Sequence, residues 1–150
     1  MGLPSNFSEL AISDVMHYEI VDCPPQTPLR EVASLMAEHN IHCVVVDGLA
    51  RGPHDTERFV WGLVSDLDLM RAEGAGRLED EAGKIASTEI VTVNPNEDIQ
   101  RAAQVMGEHD CSHLIVTDTE SGRPIGVVSS IDVARALVWG PRPSAELPAP

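Results

Sequence analysis

The groups in this chain best placed for chemistry are a hydroxyl and a carboxylate three residues apart, and the pattern occurs twice. Ser65-Asp66-Leu67-Asp68 and Ser129-Ser130-Ile131-Asp132 each stand between a short apolar run and a helical one. At that spacing the serine caps a helix and the acid bonds back to it, a capping box. Arg71 and Arg135 each follow the motif aspartate by three residues. Such a pair forms a surface ion bridge or holds a phosphate. Arg123, on a turn before a strand, is a further candidate for a phosphate.

A second group of reactive types is His39, His42 and Cys43 with His109, Cys111 and His113. These are metal-ligand types, but their spacings match neither C-x₂-C nor H-x₃-H. His39 and His109 each close a helical pattern, where the dipole favours a partly charged imidazole. Cys111, beside His109 and His113, is the candidate reactive thiol; a strand-edge cysteine is otherwise a small apolar filler. No G-x-G-x-x-G, P-loop, H-E-x-x-H or G-x-S-x-G motif is present, and the reading is not an enzyme, with no catalytic residues and no required cofactor.

Composition narrows the partners. The 150 residues carry 24 acids against 10 bases, a net charge of −14. Phosphate neutralisation needs clustered Lys and Arg, so nucleic acid and anionic membrane surfaces are poor partners. Two Trp, one Tyr and two Phe supply no stacking platform for several bases. No apolar run reaches the roughly 20 residues of a membrane span. The start lacks the pattern of a signal peptide, and three cysteines form no even framework. Both features point to reduced thiols and a cytoplasmic protein.

The elements that must position these groups come as an internal repeat. Shifted by 70 residues, Asp14–Asp47 lies over Lys84–Thr117 with nine identities in 34 pairs, where unrelated segments give about two. Shifted by 64, Gly62–Ala72 lies over Gly126–Ala136 with six identities in 11. The first copy therefore holds six extra residues, in the polar stretch Gly48–Arg58, a surface loop.

Each copy reads as β-α-β-β-α. An extended segment (Ile20-Val21; Ile90-Val91) precedes an amphipathic helix. Its apolar stripe is Leu29, Val32, Ala33 and Met36, or Ile99, Ala102, Ala103 and Met106. Thr27 is the expected cap of the first helix, with Pro28 in its first turn. Glu97 and Asp98 open the second helix. Asn40 and Asp110 suit the left-handed ends of the two. A buried strand follows (Cys43–Val46; His113–Val116), then a second strand (Phe59–Val64; Pro124–Val128) and a closing helix (Asp66–Glu73; Ser130–Val138). Phe7–Met16 reads as a short helix, and the linker Gly74–Lys84 as helical from Leu78. Trp61 is expected in the core or at a dimer interface. The tail 140–150, rich in proline, is expected to be disordered.

The tandem unit resembles a pair of cystathionine-β-synthase (CBS) domains, a Bateman module. The diagnostic piece is Gly-h-x-Thr/Ser-x-x-Asp, where h is apolar. It stands here as Gly62-Leu-Val-Ser65-Asp-Leu-Asp68 and Gly126-Val-Val-Ser129-Ser-Ile-Asp132, and the resemblance covers roughly residues 11–138. It implies an α/β fold of two repeats, 7–75 and 76–139, packed as a pseudo-two-fold pair with clefts between them. It also implies a regulatory module whose cleft binds an adenosine-containing ligand and which signals by conformational change. Ser65, Asp68, Ser129 and Asp132 would then hold the ligand, each aspartate on the ribose hydroxyls and each serine with its helix amides on the phosphate. Met16, Val21, Ile41, His42, Cys43, Ala86, Val91, Cys111, Ser112 and His113 would line the adenine pocket, and Arg135 would reach the phosphate. Given the acidic chain, adenosine, AMP or S-adenosylmethionine is favoured over ATP. A homodimer is expected, with an unidentified protein as a further partner. The alternatives are a ligand-free interaction or stress-response module, and a Cys/His metal or redox sensor.

Overall fold

The computed structural model describes residues 10–48 and 61–140. Most of the Gly48–Arg58 loop and the proline-rich tail lie outside these residues. The described chain is α/β, with two three-stranded sheets and five α-helices.

The first sheet comprises β1 (Asp22–Cys23), β2 (Cys43–Asp47) and β3 (Trp61–Ser65), in that order. Helix α1 (Leu29–His39) joins the parallel pair β1 and β2, and β3 returns antiparallel with Val44 opposite Val64. Helices α2 (Asp66–Gly74) and α3 (Ala82–Ile85) follow. The second sheet repeats this order with β4 (Thr92–Val93), β5 (His113–Thr117) and β6 (Pro124–Ser129). Helix α4 (Ile99–His109) makes the crossover and α5 (Ser130–Trp139) closes the unit. The true strands β1 and β4 begin just after the extended segments read from the sequence.

The helical stripes largely hold. Leu29, Val32 and Met36 are buried and Ala33 is half-buried. In α4, however, Val105 is buried in place of Ala103, which is exposed. Burying the larger aliphatic side chain removes more apolar surface from water. Asn40 and Asp110 both end their helices in the left-handed conformation, at φ 54°.

Thr27 does not cap α1. Pro28 occupies the cap position at φ −64° and ψ 146°, so the helix starts one residue later. Its first amides are satisfied by the linker instead. Leu29 N–H donates to Asp80 O at 2.9 Å and Arg30 N–H to Leu78 O at 3.0 Å. Asp98 does cap α4, accepting from Arg101 N–H at 2.8 Å.

Two compact units result, and their boundaries do not follow the repeats in the sequence. Residues 20–90 form one unit. The other joins 91–140 to residues 10–19, which open the first repeat in the sequence. In each unit a leading segment from the far side of the chain docks on the loop between the first strand and helix. Ile12 N–H donates to Glu97 O at 2.8 Å and Ser13 N–H to Pro95 O at 3.0 Å. Seventy residues on, Ala82 N–H donates to Thr27 O at 2.7 Å and Gly83 N–H to Pro25 O at 2.9 Å. Each leading segment then bridges the last strand of its unit, His17 to Val127 and Ser87 to Leu63.

This docking overrides the helix expected over Phe7–Met16. Among the described residues only a 3₁₀ turn, Ile12–Asp14, forms. Ile12, Val15 and Met16 sink into the core of Leu114, Val116, Val128 and Ile99, and the chain must extend at once to bridge at His17. The linker helix likewise shrinks to α3.

This packing fixes the outcome of three substitutions. A Cβ at Gly126 would stand 2.6 Å from the His17 carbonyl oxygen, so Gly126→Ala must push the leading segment off β6. It should cost about 2 kcal/mol, or roughly 4–8 °C in thermal melting. A Cβ at Gly107, inside α4, meets nothing within 4 Å, and Gly107→Ala should stabilise by about 0.5–1 kcal/mol. The third substitution is at Asp132. Burial raises its pKa, but hydrogen bonds from His17 and from the Ser129 amide and hydroxyl, with the His17 charge, bring it below the ordinary value. A lowered folded pKa stabilises above the unfolded pKa, and that contribution is lost as the pH falls through the folded value. Asp132→Asn should cost about 2 kcal/mol at neutral pH. Its deficit against wild type, followed by circular dichroism melts, should shrink as the pH falls below about 4.

Candidate functional site

Both Ser-x-x-Asp motifs form at a junction where a strand passes into a helix without an intervening residue. Ser65 ends β3 and Asp66 opens α2; Ser129 ends β6 and Ser130 opens α5. A turn this tight leaves the first helical N–H groups without intrahelical partners. The motif supplies them. Asp68 N–H donates to Ser65 Oγ at 3.1 Å, and Ser65 N–H donates to Asp68 Oδ2 at 2.9 Å. At the second junction the distances are 3.3 Å and 2.9 Å. Both motifs are therefore complete capping boxes.

The two aspartates differ in what remains. The Asp68 side chain is 26% exposed, and its Oδ1 has the exposed Arg71 guanidinium 3.8 Å away, beyond hydrogen-bond reach. The Asp132 side chain is 1% exposed. Its Oδ2 also accepts from Ser129 Oγ at 2.8 Å, and its Oδ1 pairs with His17 Nε2 at 2.9 Å. Arg135 is exposed.

The helix amides expected to face a phosphate are already engaged at the first box. Asp66 N–H donates to His42 O at 2.8 Å, and Leu67 N–H to Asp66 Oδ1 at 2.8 Å. At the second box, Ser130 N–H donates to Ser112 O at 2.8 Å.

The remaining expected residues fall into the two units. Val21, Ile41, His42, Cys43 and Ala86 belong with the Asp68 box. Cys43 pairs with Ser65 across the sheet, and His42 Nδ1 lies 2.9 Å from Asp66 Oδ2. Ile41 and Ala86 pack on the core of that unit, and the Val21 carbonyl accepts from Val45 N–H at 2.9 Å. Met16, Val91, Cys111, Ser112 and His113 belong with the Asp132 box. His113 pairs with Ser129, and Ser112 Oγ lies 3.0 Å from His113 Nδ1. Met16 is buried in the core of this unit, with Val91 and Cys111 packed against it.

The thiols are poorly set for reaction. Burial, aided by the Asp66 carboxylate, pushes Cys43 up to about 11. Burial and the Asp110 carboxylate raise Cys111. Burial raises Cys23 as well. A raised pKa keeps the thiol protonated at neutral pH, and the thiolate is the nucleophile and ligand. Among the described residues no three His, Cys, Asp or Glu side chains are grouped to hold a metal ion. None of the helices there is long and apolar enough to cross a membrane.

His17 is the residue that sequence reasoning missed. It lies 115 positions from Asp132 and outside any motif. Its counterpart at the 70-residue shift is Ser87, so the repeat comparison discards it as a mismatch.

Comparison with known proteins places this geometry. The family model of the CBS domain matches residues 12–75 and again 82–138. The CBS domain-containing protein YhcV of Bacillus subtilis is 27% identical over 126 residues, 83% of each chain. The fold matches the CBS domain pair of protein MJ0100, solved with 5′-methylthioadenosine and S-adenosyl-L-methionine. There the TM-score is 0.68 at 20% identity, over 83% of this chain and 93% of that one. The CBS domain protein PAE2072 of Pyrobaculum aerophilum, solved with AMP, gives a TM-score of 0.67 at 27% identity, over 82% and 89%. With both repeats matched over their length, the chain belongs to the CBS-domain family and carries two CBS domains in tandem.

Proposed function

We propose that this chain is a regulatory module that binds an adenosine-containing small molecule and performs no chemistry on it. The observation that carries this reading is the Asp68 carboxylate. One oxygen is fixed by the Ser65 amide, which sets the direction of the other, and that other oxygen makes no hydrogen bond within the box. A fixed, part-exposed carboxylate accepts well from the adjacent hydroxyls of a ribose. The AMP bound by the relative PAE2072 supports the choice of ligand class.

Charge refines that choice. A triphosphate would enter a chain at −14, and the α2 amides that would greet its phosphates already have partners. Adenosine, AMP and S-adenosylmethionine fit better than ATP. Binding acts as a signal only where two states of the module differ in affinity, and a partner protein in the cytoplasm reads the difference.

The apolar residues left exposed favour a homodimer. Leu67 and Met70 on α2, and Ile131, Val138 and Trp139 on α5, are more than half exposed, Trp139 at 75%. Burying such surface between two copies follows the commonest symmetry of soluble oligomers, a two-fold axis. The same surface supports the second reading, a ligand-free module that docks another protein.

Isothermal titration with adenosine, AMP, S-adenosylmethionine and ATP, with and without Mg²⁺, tests the ligand. Asp68→Asn, which keeps an acceptor for the Ser65 amide, should weaken AMP binding by about 10- to 100-fold with little change in melting temperature. Silence across the panel at millimolar ligand would transfer the reading to the docking module. Sedimentation at micromolar concentration should give a mass near twice 16.2 kDa; a mass of one chain overturns the dimer.

A further inference from the structure

The two boxes share a backbone and differ in one visitor. In each unit the leading segment crosses the last strand two residues before the motif serine. His17 makes that bridge at Val127, and Ser87 makes it at Leu63. Backbone pairing is alike in both: His17 N–H to Val127 O is 2.8 Å, and Ser87 N–H to Leu63 O is 2.9 Å. The side chains are not alike. The imidazole of His17 spans the gap to Asp132 Oδ1 at 2.9 Å. Ser87 is exposed and carries only a hydroxyl on its Cβ.

We infer that His17 is a plug: it closes the Asp132 box, so that the chain offers one diol-binding carboxylate, Asp68, instead of two. The inference rests on the adenosine reading above. A vicinal diol asks for acceptor capacity facing outward. At Asp132, Oδ2 accepts two hydrogen bonds from Ser129 and Oδ1 faces the imidazole, with the side chain 1% exposed. A ribose would have to displace His17 and expose a buried carboxylate before it gained its own bonds. At Asp68 no imidazole stands in the way: the residue at the matching bridge is Ser87, and Oδ1 faces the exposed Arg71 guanidinium at 3.8 Å. The exchange of an imidazole for a hydroxyl at equivalent bridge positions thus makes the two sites unequal, and residue 17 decides occupancy without touching the ligand.

The test is calorimetric titration of the full chain with AMP. Wild type should bind one AMP per chain. His17→Ser should bind two, and His17→Ser combined with Asp132→Asn should return to one. The converse variant, Ser87→His, changes an exposed residue and places an imidazole opposite Asp68. It should weaken the wild-type site at least about tenfold, and it keeps the test alive if His17→Ser fails to fold. Two AMP per wild-type chain would overturn the inference. So would a folded His17→Ser that still binds one, or a Ser87→His that binds as wild type does. Absence of AMP binding in both wild type and His17→Ser would instead overturn the adenosine reading on which the inference rests.

Discussion

The strand-to-helix junction at each motif serine is the constraint from which the rest of the site follows. With no residue between strand and helix, the turn strands the first helical amides, and a buried amide without a partner costs about 1–3 kcal/mol. Ser65 with Asp68, and Ser129 with Asp132, answer that cost reciprocally. The same bonds immobilise a carboxylate at the mouth of the turn. A cap and a binding group are therefore not rival assignments for these aspartates. Capping engages one oxygen and, by fixing it, orients the other.

What becomes of that second oxygen is settled by a segment remote in sequence. Residues 10–19 pack with the second repeat, and residues 81–90 with the first, through matching amide-to-carbonyl bonds at a 70-residue offset. Gly126 permits the approach in the second unit, since its missing Cβ leaves room for the His17 carbonyl. Close approach in turn brings the imidazole within hydrogen-bond distance of Asp132. Thus in the second unit the least regular part, a single bridge beside a three-stranded sheet, reaches the motif aspartate.

The sequence disclosed those features that repeat or that have a period. Nine identities in 34 pairs exposed the duplication, and apolar spacing placed α1 and α4, although in α4 Val105 is buried where Ala103 was expected. Asn40 and Asp110 announced both left-handed helix ends. The Ser-x-x-Asp spacing announced both boxes. What stayed hidden has a common physical cause. An isolated bridge such as His17 to Val127 involves too few residues to carry a hydrophobic period, and its partner lies more than 100 positions away. Thr27 looked like a cap because its type is right, yet carbonyls of Leu78 and Asp80 reached the same amides first. In both cases tertiary bonds supplied what local rules assign to neighbours in the chain.

The distribution of donors bears on which part of a nucleotide such a module can read. Helix N-termini hold phosphates through free N–H groups, but at α2 the amides of Asp66, Leu67 and Asp68 are taken by His42, Asp66 and Ser65. One of those partners is itself acidic: Asp66 occupies the first helical position, and its carboxylate adds negative charge where a phosphate would lie. The nearby cation, Arg71, lies exposed 3.8 Å from Asp68 Oδ1, where screening leaves an ion pair about 0–1 kcal/mol. On the adenosine reading proposed above, the sugar would instead meet a carboxylate held rigid by the fold. Discrimination in such a site would come from hydroxyl geometry more than from phosphate charge, which suits a chain with 24 acids and 10 bases.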